Sequence, residues 1–84
     1  MRFEWDDEKA VDNLKKHGVS FGEATEVFYD PNALEEYDDD HSSNEDRFVI
    51  IGLSSRRLLV DVYSMLFMPS VWAMLSGSSQ LERL

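Results

Sequence analysis

No cysteine occurs among the 84 residues, which excludes disulfides and thiolate chemistry together. No apolar run approaches the roughly 18 residues that a membrane-spanning helix needs. The opening MRFEWDDEKA lacks the apolar core that directs secretion. These two absences predict a cytoplasmic protein with no membrane partner. Internal repeats are missing, and so is any linker long enough to separate domains. Positive charge is scarce: 8 Lys and Arg stand against 17 Asp and Glu, for a net charge of -9. Through Asp46 there are fifteen acids and four bases; from Arg47 onward there are two acids and four bases. Such a first half repels nucleic acid and suits a cationic protein partner, so contact with RNA or DNA is expected from the second half.

What is present argues for a folded chain. A hydrophobic fraction of 43% with 12% aromatics outweighs the charge as evidence against disorder. The length allows one small domain. RFEW alternates and reads as an edge strand. Asp6 then caps a helix with Asp7 and Glu8 in its first turn and Lys15, Lys16 and His17 in its last, and Gly18 stands where a left-handed C-cap residue belongs. Its apolar stripe is thin (Ala10, Val11, Leu14), which predicts a surface helix. Ser20 and Glu23 fit a capping box and Val19 and Ala24 a hydrophobic staple, with Asp30-Pro31 ending this second helix. ALEEYD reads as a short strand and DDDHSSNED as a polar loop. RFVIIGLS and LLVDVYS flank the turn SSRR as a hairpin. Helices segregated to one side of antiparallel strands give an α+β domain.

Two stretches, FEWDDEKAVDNLKKHGVSFGEATEVFYDP and DHSSNEDRFVIIGLSSRRLLVDVY, resemble the BrnT family of bacterial type II toxins over residues 2–63. The F-x-W-D start and KHGVSFGEA carry the likeness in combination. The resemblance implies a RelE-like fold in the order β-α-α-β-β-β, with residues 1–64 as the toxin domain and 65–84 as an atypical tail of the same domain. It further implies a metal-independent endoribonuclease that inhibits translation and needs no cofactor. A BrnA-like antitoxin would neutralise it, with DNA reached only through the complex of the two.

The tail departs from the family. WAMLSGSSQLERL, residues 72–84, has no strand alternation; from Val71 a short helix could bury Trp72 and Leu75, with docking on the sheet, self-association and disorder left open. Members of the family end instead in a strand like GDVIRIIS followed by a basic ARKA stretch. One permitted set of codons for residues 72–84, read from its third nucleotide, encodes GDVIRIISARKA. The tail is therefore read as an out-of-frame ending, with the slip between about Tyr63 and Val71, a reading the gene's own codons decide. It predicts a final strand altered or missing and, with the family's C-terminal arginines lost, impaired nuclease activity.

RNA cleavage through the ribose 2′-hydroxyl needs cations at the phosphate, an acid–base group and a stacking surface. Arg56 and Arg57 in the hairpin turn are candidate catalytic cations, because guanidinium forks suit phosphate oxygens; as turn residues they can equally be solvated. His17 is a candidate acid or base, against a capping role at its helix terminus. Candidate RNA-binding residues are Trp5, Lys9 and Arg47. The competing roles are core packing for Trp5, which is preferred, an ion pair within the helix for Lys9, and pairing with an acid for Arg47. DDDH, Asp38 to His41, offers metal-type ligands, but its spacing fits no established loop and it reads as a solvated charge run, so no metal site is assigned. The alternative to a nuclease is a non-catalytic module whose acidic surface binds a basic antitoxin or DNA-binding partner. A general acidic mimic of nucleic acid rests on charge alone.

Overall fold

Asp6 accepts a hydrogen bond from the Glu8 N–H at 2.8 Å and opens helix α1 (Asp7–His17). The helix closes at Gly18, whose φ of 68° is the left-handed conformation that a side chain resists, and whose N–H donates to the Leu14 carbonyl at 2.9 Å. Helix α2 (Phe21–Thr25) begins with the Glu23 N–H donating to Ser20 Oγ at 3.0 Å. Only this half of the capping box forms, because the Glu23 carboxylate reaches Ser54 and Arg57 instead. A 3-10 turn over Glu26–Tyr29 follows, and the staple residues Val19 and Ala24 are fully buried.

The computed structural model describes residues 2–39, 46–65 and 71–79. Its strands are β1 (Arg2–Glu4), β2 (Leu34–Tyr37), β3 (Arg47–Leu53), β4 (Leu58–Met65) and β5 (Val71–Ser79). They form one mixed sheet in the order β1-β5-β4-β3-β2, antiparallel except that β1 runs parallel to β5. The α+β class holds, and the strands and helices predicted before residue 64 are all present.

Of the two alternatives for the final strand, altered or missing, the second does not hold. Neither does the expected helix from Val71. Residues 71–79 form β5 inside the sheet, between β1 and β4. Val62 pairs with Ser76 and Tyr63 with Met74, so Leu75 is an extra residue, a β-bulge, on β5. Gly77 sits in a tight place: a Cβ there would meet Asp61 Oδ1 at 3.0 Å and Ala24 Cβ at 3.1 Å, so these neighbours would have to give by a few tenths of an ångström.

Residues paired across strands share a face of the sheet. Ile50, Leu59, Tyr63 and Met74 face the helices and join Val19, Phe21, Ala24 and Val27 in the core. Tyr63 is its aromatic centre, stacked on Phe48 at 5.4 Å and edge-on to Phe28 at 4.8 Å and Trp72 at 5.4 Å. Trp72 is thus core material supplied by the tail. Burial of this kind is worth about 25 cal/mol per Å² of apolar surface removed from water, with further gain from edge-to-face ring contacts.

The surface position expected for α1 holds, and the core packing expected for Trp5 fails. Val11 and Leu14 on α1 are exposed, and the buried residue of that helix is Asn13. Trp5 lies outside the core cluster with 39% of its surface exposed, resting its edge on Phe21 at 5.8 Å. It follows the last residue of β1 and precedes the α1 cap, a corner where the chain turns away from the sheet.

Candidate active site

Helix α1 meets the sheet along β5, and Asn13 makes the joint. β1 pairs only with residues 71–73 of β5, which leaves the same edge open further along. There the Asn13 amide substitutes for a strand: its Nδ2 donates to the Gly77 carbonyl at 2.7 Å and to the Val19 carbonyl at 2.9 Å, while its Oδ1 accepts from the Gly77 N–H at 3.2 Å. Lys9, one turn earlier, is carried to the margin of the sheet by the same helix face.

A depression of about 370 Å³ lies beside Lys9 on the sheet face opposite the core. Arg47 and Asp38 bound it, with Val49, Val62, Leu75 and Ser76 as its other walls. Adjoining hollows extend it along α1 past Asp12, Asn13, Lys16 and His17, and along β1 past Glu4, Trp5 and Asp6. Lys9 and Leu75 line all three. Four of the six candidate residues, Trp5, Lys9, His17 and Arg47, therefore border one continuous surface. Lys16, Asp12 and Ser76 also border it and were not singled out in the sequence, and so does Asp38, which was weighed there only as a metal ligand. The β5 residues that line it, Ala73, Met74, Leu75 and Ser76, carry no charge. Its cations alternate with acids, which weakens its hold on an anion.

Arg56 and Arg57 do not line this depression. Their turn is built around Ser54, whose Oγ accepts from the Arg56 and Arg57 N–H groups, each at 3.1 Å, while the Ser54 N–H donates to the Arg57 carbonyl at 2.8 Å. Acids from the helical layer hold the turn: the Ser55 N–H donates to Glu26 Oε1 at 2.7 Å, and Arg57 donates from Nε and a terminal nitrogen to the two Glu23 oxygens. The same terminal nitrogen reaches the Gly18 carbonyl at 2.7 Å. The Glu23 carboxyl is held below its ordinary range chiefly by the Arg57 hydrogen bond, against burial. Arg56 is exposed.

Beneath this network lies Asp61, fully buried with neither carboxyl oxygen hydrogen-bonded. Burial, and then the Glu23 charge, push its pKa up to about 8. The Tyr63 phenol is held above its ordinary value by burial and by its hydrogen bond to Glu35. The DDDH stretch includes Asp40 and His41, which lie outside the described residues; among the described residues no group of three or more His, Asp or Glu is placed to hold a metal ion. No helix among the described residues is long and apolar enough to cross a membrane.

The family model described as "Ribonuclease toxin, BrnT, of type II toxin-antitoxin system" matches residues 5–67. The chain belongs to the BrnT family. No curated protein matches it. The BrnT match takes in Trp5, Lys9, His17, Arg47, Arg56 and Arg57 and stops before β5. The strand that completes the sheet of this BrnT toxin thus lies outside the part of the chain that resembles the family.

Proposed function

We propose that this chain is a metal-independent endoribonuclease toxin whose activity is impaired, with the depression beside Lys9 as its RNA site. In this reading Lys9 and Arg47 hold the scissile phosphate and Trp5 stacks a neighbouring base. His17 takes the proton of the 2′-hydroxyl as its oxygen attacks phosphorus. The bond from phosphorus to the 5′ oxygen breaks, that oxygen takes up a proton, and a 2′,3′-cyclic phosphate remains. Arg57 acts through position, by fixing the turn against α2, and Arg56 is the turn cation that faces solvent. The reading includes a RelE-like scaffold, translation arrest as the outcome in the cytoplasm, and a BrnA-like antitoxin through which DNA is reached.

The observation that carries the impairment is the neutral β5 wall. The family's ending would bring arginine to the RNA from this strand, and here the strand offers only Leu75 and Ser76 to the depression, and Ala73 and Met74 to the hollow beside β1. The test is cleavage of total cellular RNA by the purified chain, by Ser76→Arg, and by Ser76→Arg with Lys9→Ala. Weak cleavage is expected from the unaltered chain, at least tenfold more from Ser76→Arg, and loss of that gain with Lys9→Ala. Strong cleavage by the unaltered chain that survives Lys9→Ala would overturn the proposal. A second reading, a non-catalytic module that binds the antitoxin, is favoured by the acidic surface. It would be upheld if no variant cleaved while the chain still bound its antitoxin.

A further inference from the structure

β2 ends the sheet, and among the described residues no strand pairs with its outer edge. All four of its residues are exposed, Leu34 to 70% and Tyr37 to 47%. The direction of its backbone groups follows from one hydrogen bond. The Asp38 N–H donates to the Arg47 carbonyl at 2.8 Å, so in an antiparallel ladder Glu36 and Leu34 also turn their backbone groups toward β3. Glu35 and Tyr37 therefore present N–H and C=O outward. An edge of this kind is a template for another strand.

The charge around the edge selects the strand. Glu35 and Glu36 lie in β2, and Asp38, Asp39 and Asp46 follow it, with the Tyr37 hydroxyl donating to Asp46 Oδ1 at 2.9 Å. A second copy of β2 would set glutamates against glutamates, which opposes pairing. RNA is repelled for the same reason. A cationic extended segment meets both demands: its backbone completes the ladder, its basic side chains neutralise the acids, and an apolar side chain covers Leu34.

We propose that the outer edge of β2 is a docking site for a basic, extended segment of a partner protein, which joins the sheet as a sixth strand. The antitoxin that the toxin family implies is the natural source of such a segment; to that extent the inference rests on the reading above, although its test does not depend on cleavage.

The probe is a synthetic peptide of about eight residues that alternates lysine with valine or leucine, added to the isotope-labelled full chain. Amide shifts confined to Glu35, Tyr37 and their neighbours are expected. Methylation of the peptide amides that face β2 should weaken binding at least tenfold, while methylation of those facing away should not. The double variant Leu34→Lys/Glu36→Lys, which leaves the β3 ladder intact, should also bind at least tenfold more weakly. Glu4→Lys/Glu8→Lys, with a comparable change in charge elsewhere, should bind within about twofold of the unaltered chain. Binding that ignores amide methylation, shifts that map to α1, or no binding would overturn the proposal. Each of these leaves the nuclease reading standing, because RNA cleavage is measured separately. Loss of cleavage in every variant with edge binding retained would overturn the nuclease reading alone.

Discussion

Both oxygens of the Glu23 carboxylate are held by one guanidinium, with Oε2 3.0 Å from Arg57 Nε and Oε1 2.9 Å from its terminal nitrogen. The pair ties the β3–β4 turn to α2 and, through the Gly18 carbonyl, to the end of α1. It lies partly buried, with the Glu23 side chain 8% and that of Arg57 32% exposed.

Arg57→Ala leaves Glu23 buried beside Asp61 with its main partner gone. Removal of one member of a buried pair costs about 3–5 kcal/mol; with Arg57 one-third open to solvent, about 2–3 kcal/mol is expected. Arg56→Ala should change stability by less than about 0.5 kcal/mol. Urea unfolding of both variants measures the difference. The two must be compared folded before a loss of RNA cleavage in either is read as chemistry.

Asp61 sets how stability depends on pH. Its pKa rises from 3.8 to about 8 on folding, because burial and the Glu23 charge both oppose ionisation. Between those values the folded chain holds a proton that the unfolded chain has released. Stability therefore falls as pH rises, by up to about 1.4 kcal/mol per pH unit, and levels off above about pH 8. Glu23 acts in the opposite direction and lower down: its depressed pKa contributes stability that is lost as pH falls below the ordinary carboxylate range. The maximum is expected under mildly acidic conditions. Denaturation midpoints taken from about pH 5 to about pH 8 should decline for the native sequence and stay level for Asp61→Asn.

Asn13→Ala removes the side chain that serves as a strand partner for Gly77. The Gly77 N–H and C=O are then left without their bonds in a buried place, for a cost of about 2–4 kcal/mol. Asn13→Asp keeps the acceptor but loses the donor to Val19 and Gly77, and should be no better. Unfolding curves give the magnitude. Hydrogen exchange at the Gly77 amide gives the location, with faster exchange expected in both variants.

Much of the fold was legible because its signals are local. The caps at Asp6, Gly18 and Ser20 use side chains within a few residues of the backbone groups they satisfy, and the β3–β4 hairpin shows its alternation on either side of a polar turn. β5 was not legible, for two physical reasons. The bulge at Leu75 interrupts the two-residue period, and Ser76, Gly77, Ser78 and Ser79 have little strand preference of their own; β4 on one side and the Asn13 amide on the other impose the conformation. Any slip in the reading frame would concern where this strand came from, and the strand forms from the residues it has.

The site was legible only in part. Residue type identified Lys9, Arg47, His17 and Trp5 as candidates, and tertiary packing gathers them around the depression. No sequence pattern announces that Asn13 reaches a residue 64 positions away, or that Glu23 reaches Arg57 at a separation of 34. The first brings α1 to the sheet margin and the second withdraws a cation into the scaffold. Both depend on partners that are remote along the chain.

The pairing of β1 carries a consequence for synthesis. Among the described residues the one sheet neighbour of this strand is β5, so residues 2–4 wait for residues 71–73 before they find their place. A ribosome delivers residues 2–4 well before residues 71–73. The nascent chain therefore cannot place β1 in the sheet before residues 71–73 have emerged. β1 is thus seated after α1, α2 and the β3–β4 hairpin have all been synthesised, although it precedes them in the chain.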